Sequence, residues 1–305
     1  MTTSFYRLAV VRDGAAAAVW VDHGGKLLPL AKILPPDLAA EAANWTDLAP
    51  MLAGWPRWDQ LLGEHVPTAA ERFAAEGQLA SSLRFAPPVA RPDKLICIGA
   101  NYHDHIAEMK IPMTPDYPFT FLKPAGNTLR GSGEAVRVPK IAQMVDWEAE
   151  LGVVIGQSAR DVAASDALDI VAGYTNFNDL SARDWLASRP AVGVDWVRHK
   201  AHDGFGPIGP YFVPARFVAD PQNLPIRLSV NGEIKQDSST SQMVFGVAAI
   251  IEHLSSIMTL EPGDIIATGT PAGVGHGLRP PQFLKAGDEV RLEIGDLGEL
   301  VTPMI

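Results

Sequence analysis

Cysteine is almost absent from this chain. One residue in 305, Cys97, excludes an intrachain disulfide framework and favours a reducing compartment. Cys97 lies in the apolar run Leu95-Ile-Cys-Ile98, which reads as a buried, inert thiol rather than a nucleophile. Positive charge is also scarce: 25 Lys and Arg against 35 Asp and Glu leave a net charge of −10, with the basic residues scattered. A nucleic-acid surface is therefore not expected. No apolar run approaches a membrane span, and the N-terminus carries Arg7 and Arg12 without a continuous apolar stretch of the secretory kind. These absences together predict a cytoplasmic globular protein.

What is present is a 47% hydrophobic chain, enough for one large core or one large and one small. YRLAVVRDG and AAVWVDHGGKLLPL read as short strands, and DLAAEAANWTDLAPMLAGW and PRWDQLLGEHV have helical spacing. The proline-rich piece from Phe85 to Asp93 reads as a linker. Beyond it KLICIG, ELGVVIG, IVAGYTNFND, IRLSVNGEIKQ, DIIATG and EVRLEIGDLGELV all read as strands. Asn231-Gly232 marks a hairpin and Gly295-Asp-Leu-Gly298 a second reversal, while residues 245–258 form the clearest helix. The expected architecture is mostly β (α+β), with a small α+β domain over residues 1–88 and a larger one over 89–305.

The stretch MVDWEAELGVVIG poses the main chemical problem. In an extended chain Asp146, Glu148 and Glu150 share one face, and Trp147, Ala149 and Leu151 the other. Carboxylates so close repel, and burial makes their ionised forms costly. Either that face is wet or a cation sits on it. IVAGYTNFND ends in a further carboxylate, Asp179, and an all-oxygen set from two strands suits a hard divalent ion. A solvated strand face is the competing reading. His105 and Glu108 are three apart in IGANYHDHIAEM, so one helical turn brings them together. A carboxylate orienting an imidazole builds a base for activating water, though an ordinary surface pair has the same spacing. The Gly-rich Thr268-Gly-Thr-Pro-Ala-Gly-Val-Gly275 lacks the Lys-Ser/Thr ending of a P-loop, so nucleotide binding is not expected.

These motifs, with PFTFLKPAGNTLRGSGEAVRVP, GYTNFNDLSARD, the Lys200 region, PGDIIATGTPAGVG and FLKAGDEVRLEI, run in the order of a known family. From about Lys94 to Pro303 the chain resembles the catalytic domain of the fumarylacetoacetate hydrolase family. The resemblance implies that family's mixed β-roll, a homodimer, and an N-terminal domain of the kind many bacterial members carry. It implies Glu148, Glu150 and Asp179 as ligands of Mg2+ or Mn2+, and His105 with Glu108 as a catalytic dyad in a lid; His103 matches no catalytic position. Lys200 matches a lysine that points at substrate oxygens, although the usual Gly-Lys-Ser-Phe is here His199-Lys-Ala-His202. Thr270 matches a residue that bonds the substrate carboxylate, a plain tight turn being the alternative. Arg183 and Asp184 are expected to support the metal loop. Leu186 stands where members often have glutamine, beside Trp185 and near Trp196, and is expected either to form an apolar wall for the substrate tail or to pack into the core.

The function expected is hydrolysis of a carbon–carbon bond in a 2,4-dioxo acid of the acylpyruvate type. The products would be a pyruvate and a carboxylic acid. The same enolate chemistry serves oxaloacetate decarboxylases and the hydratases or isomerases of ring-cleavage oxo acids. A catalytically silent member that binds a small acid is the remaining alternative.

Overall fold

The computed structural model describes residues 4–109, 114–188, 191 and 193–305. Its centre is one large sheet. In spatial order the strands are Lys26–Pro29, Ala16–His23, Arg7–Asp13, Tyr211–Pro214, Val171–Asn178, Ala149–Ile155, Ile265–Ala267, Leu95–Gly99 and Phe119–Leu122. Neighbours are antiparallel except for Ile265–Ala267 beside Leu95–Gly99. A second, antiparallel sheet holds Glu233–Ser239, Pro225–Val230, Glu289–Ile294 and Glu299–Pro303.

Both faces of the large sheet are covered at its centre, which explains why its central strands are nearly continuously apolar rather than alternating. On one face Ile96, Leu151, Val153 and Ile155 pack with Ile226 and Leu228 of the second sheet and with Ile250 and Leu254 of the helix Val247–Ile257. On the other face Leu95, Cys97, Val154 and Phe212 pack with Trp55, Trp58, Leu62 and Val66. Those four lie on one side of the helix Trp55–Thr68, at the i, i+3, i+4 spacing of an amphipathic helix. Glu150 and Gly152 alternate with Leu151 and Val153, so the carboxylate lies on the face that also carries Val154.

The N-terminal strands are not a separate sheet. Arg7–Asp13 pairs with Tyr211–Pro214, with Leu8 opposite Phe212. The expected linker is a packed seam: Phe85–Ala86 pairs with Arg7–Asp13, and Phe85 through Val89 are buried. Prolines here end the local pairing without loosening the chain. The two reversals hold as expected, with Asn231 at φ 52° and Gly232 at φ 81° in the primed-turn region. No helix among the described residues is long and apolar enough to cross a membrane.

Candidate metal and substrate site

Strand register brings the carboxylates together. Glu150 pairs with Phe177 and Ala149 with Asn178. One step further, the Asp179 amide donates to Glu148 O at 2.9 Å. Directly opposed residues point to the same side, so Asp179 joins Glu148 and Glu150 on one face. One oxygen from each of the three carboxylates lies within 4.8 Å of the others, and all three residues are buried. Asp146 does not join them. Its oxygens accept from the backbone N–H groups of Trp147, Gly275 and His276 and from Arg183 Nε at 2.8 Å, so it anchors loops behind the site.

Three side-chain cations converge on the cluster. Lys200 Nζ donates to Glu148 Oε2 at 2.7 Å and to Asp179 Oδ2 at 2.5 Å. Arg183 bonds Glu148. Lys123 bonds Asp179 Oδ1 and donates to Phe205 O at 2.5 Å and Leu180 O at 3.2 Å. Burial alone would raise the Glu148 pKa, but Lys200 and Arg183 outweigh it and hold the carboxyl below its ordinary range. Glu150 differs: burial, then Asp179 and Glu148, push its pKa well up. Its Oε2 accepts from the Gly269 amide at 2.9 Å, and among the described residues no side-chain cation bonds it. A crowded, buried, all-oxygen set with one carboxylate short of positive charge fits a hard divalent cation.

The approach of Gly269 depends on its lacking a side chain. Its φ is +94°, and a Cβ there would meet Asn101 Cβ at 2.8 Å. Beyond it in the same loop, Thr270 Oγ1 accepts from Gln236 Nε2 at 2.8 Å. Gln236 is fixed in turn by the Ala149 amide and by Pro271 O.

The helix His103–Glu108 carries the expected dyad. His105 Nδ1 is 3.4 Å from Glu108 Oε2, and Glu108 Oε1 accepts from the Gly273 amide at 2.9 Å. Asp104 ties the helix down through Ser238 Oγ at 2.6 Å. His103 is exposed, while His105 is buried.

A cavity of about 280 Å³ joins these parts. Its polar lining residues include His105, Glu148, Glu150, Asp179, Arg183, Lys200 and Thr270, and its apolar ones Met109, Phe119, Phe121, Leu186 and Trp196. Trp196 stacks on Phe121 with centroids 4.5 Å apart. Leu186 therefore faces the cavity. Glu108 is not on the wall and reaches it only through His105. Lys200 turns its ammonium to the carboxylates, so among the described residues it acts first as their countercharge. Arg183 does the same for Glu148, and Asp184 holds the loop through the Gln143 and Met144 amides, as expected of a supporting pair. Cys97 is buried, and burial raises its thiol pKa well above the ordinary value.

Lys123, His199, Phe121 and Gln236 were not assigned from the sequence. The one signal for Lys123 is a lysine ending the apolar run Phe119-Thr-Phe-Leu122.

Comparison with known proteins agrees with this construction. Residues 94–305 match the family model described as fumarylacetoacetate (FAA) hydrolase C-terminal. The mitochondrial oxaloacetate tautomerase of Xenopus laevis is 45% identical over 225 residues, 74% of this chain and 69% of that protein. Two solved structures cover 98% of the chain. Fumarylacetoacetate hydrolase from Exiguobacterium antarcticum is 30% identical with a TM-score of 0.80, over 99% of its length. A maleylpyruvate hydrolase from Sphingobium sp. SYK-6, solved with manganese(II) and pyruvate, is 27% identical with a TM-score of 0.76, over 98% of its length. The matched segment begins just before the strand Leu95–Gly99 and contains every residue of the cavity, so this chain belongs to the fumarylacetoacetate hydrolase family of enzymes.

Proposed function

We propose that the chain hydrolyses the carbon–carbon bond of a 2,4-dioxo acid of the acylpyruvate type, releasing a pyruvate and a carboxylic acid. The observation that carries this reading is that one cavity is lined both by the three carboxylates with His105 and by the apolar Met109, Phe119, Phe121, Leu186 and Trp196. A four-carbon dicarboxylate has no use for the apolar lining; an acyl tail does.

Glu148, Glu150 and Asp179 would hold Mg2+ or Mn2+, which when bound supplies Lewis-acid polarisation of the 2-oxo carboxylate. The remaining work falls to this chain's own groups. Thr270, held by Gln236, would orient the substrate carboxylate. With Nδ1 turned to Glu108, His105 has Nε2 left to take a proton from water. The resulting hydroxide oxygen bonds to the distant carbonyl carbon. The bond to the neighbouring methylene carbon breaks, its electron pair remaining on the pyruvate fragment as an enolate. Protonation of that carbon completes the pyruvate. Lys200 and Arg183 steady negative charge on the cluster. From the family we also expect a homodimer.

A second reading is keto–enol tautomerisation of oxaloacetate, favoured by the 45% identity to the Xenopus tautomerase. It needs the same enolate stabilisation and a proton carrier but no attacking water. The deciding experiment follows pyruvate released from 2,4-dioxohexanoate and the disappearance of enol-oxaloacetate absorbance in parallel, with Mg2+ present. Turnover of oxaloacetate enol without any pyruvate from the dioxo acid would replace the first reading by the second.

A further inference from the structure

His199 lines the cavity but has no part in the carboxylate cluster or the dyad. The residue is 2% exposed, and Nδ1 lies 2.9 Å from Ala182 O. A carbonyl oxygen only accepts, so Nδ1 carries the hydrogen. Burial, then Lys200 and Arg183, push the His199 pKa down to about 3, which keeps the ring neutral at pH 7. Nε2 is then a bare lone pair, and among the described residues nothing bonds it. His202, on the other side of Lys200, instead turns Nε2 to Arg198 O at 2.8 Å. His199 also stands beside Trp196, one of the apolar lining residues, with ring centroids 5.7 Å apart.

An acceptor on the wall of a cavity loses its water when a ligand fills the space, which is costly unless that ligand supplies a donor. The donor must be neutral. A carboxylate or ketone oxygen would set lone pair against lone pair, and an ammonium would be repelled by Lys200 and Arg183 close by. We propose that His199 Nε2 is a specificity-determining acceptor for a hydroxyl on the acyl tail of the substrate, close to the reacting carbonyl. This rests on the acylpyruvate reading above. It narrows the substrate class to hydroxylated acylpyruvates whose remaining tail is apolar.

The test compares 5-hydroxy-2,4-dioxopentanoate with 2,4-dioxopentanoate, with Mg2+ present. Wild type should favour the hydroxylated acid by about tenfold or more in kcat/KM, the usual consequence of leaving a built acceptor unpaired. His199→Phe should bring the ratio close to one, and His199→Gln, whose amide supplies both a donor and an acceptor, should restore part of it. In wild-type protein carrying 15N-labelled histidine, the Nε2 resonance of His199 should move on adding the hydroxylated acid and not the plain one. That measurement holds even where a variant fails to fold. Absence of a wild-type preference, or a resonance that responds equally to both acids, overturns the proposal. If neither acid is cleaved but calorimetric dissociation constants keep the preference, the hydrolase reading falls and this one stands.

Discussion

Lys200 Nζ donates to Asp179 Oδ2 at 2.5 Å, inside a cluster where Glu148 and Glu150 are also buried. The ammonium thus stands against two of the three carboxylates that would ligate a divalent ion. Like charges about 4 Å apart in such a setting repel by several kcal/mol at an intermediate dielectric. Burial would lower the Lys200 pKa, but Asp179 and Glu148 outweigh it and hold it above its ordinary value, so the lysine stays charged.

Lys200→Met should therefore bind Mg2+ several-fold more tightly than wild type, by calorimetry, while kcat falls by roughly two orders of magnitude through loss of charge stabilisation. The metal-free variant should melt lower than metal-free wild type and recover more on adding Mg2+. Weaker Mg2+ binding in the variant would mean that the ammonium positions the ligands rather than competing for them.

Glu150 has the opposite problem, since burial and its two acidic neighbours favour its neutral form. Glu150→Gln imitates that form. The metal-free variant should melt above metal-free wild type by a few °C, corresponding to about 1 kcal/mol. Mg2+ should no longer raise its melting temperature, and activity should vanish. A variant still stabilised by Mg2+ would remove Glu150 from the ligand set.

On the proposed mechanism His105 acts on water rather than holding the cation. His105→Ala should lower kcat on an acylpyruvate by about two to four orders of magnitude, the usual contribution of a general base. Calorimetric Mg2+ affinity should change little. A parallel loss of metal binding would instead make the imidazole a ligand or a structural support.

Most of the fold is legible in the sequence because its strands are local. Apolar runs bounded by Gly, Pro or Asn predict Leu95–Gly99 and Val171–Asn178, and strict alternation predicts Glu289–Ile294, without reference to the rest of the chain. The opposition of Glu148 and Asp179 is not local. It depends on the register of Ala149–Ile155 against Val171–Asn178, and spacing alone favours a solvated face. The family resemblance shifts the weight to the metal because it compares several motifs at once. Neither route assigns Lys123. It is far from Asp179 in sequence, and its ammonium is brought to the cluster only when Phe119–Leu122 takes the edge of the sheet. His199 escapes for the same reason, since its tautomer is set by a carbonyl at Ala182 that no spacing rule connects to it.

Lys123 gives a prediction of its own. Its side chain is fully buried and donates to Asp179, Leu180 O and Phe205 O. Lys123→Met leaves one carboxylate oxygen and two carbonyls without their donor, and removing one partner of a buried pair usually costs about 3–5 kcal/mol. Urea denaturation of the metal-free proteins should show that loss. A cost under about 1 kcal/mol would mean that water replaces the ammonium, and that Lys123 contributes little to holding Asp179 in place.

Leu186 tests the apolar lining of the cavity. It lines the same cavity as Phe119, Phe121 and Trp196. A leucine offers no hydrogen bond to a charged tail, while each methylene buried against such a wall is worth about 0.8 kcal/mol, or roughly fourfold in kcat/KM. Wild type should therefore gain activity as a straight-chain acylpyruvate lengthens by one and two carbons, and should prefer these to fumarylpyruvate. Leu186→Gln should shift the ratio toward the dicarboxylate by about tenfold, with the melting temperature serving as a control for packing. If wild type already prefers fumarylpyruvate, or the ratio does not move, the acyl tail lies elsewhere in the cavity and Leu186 serves only to fill its wall.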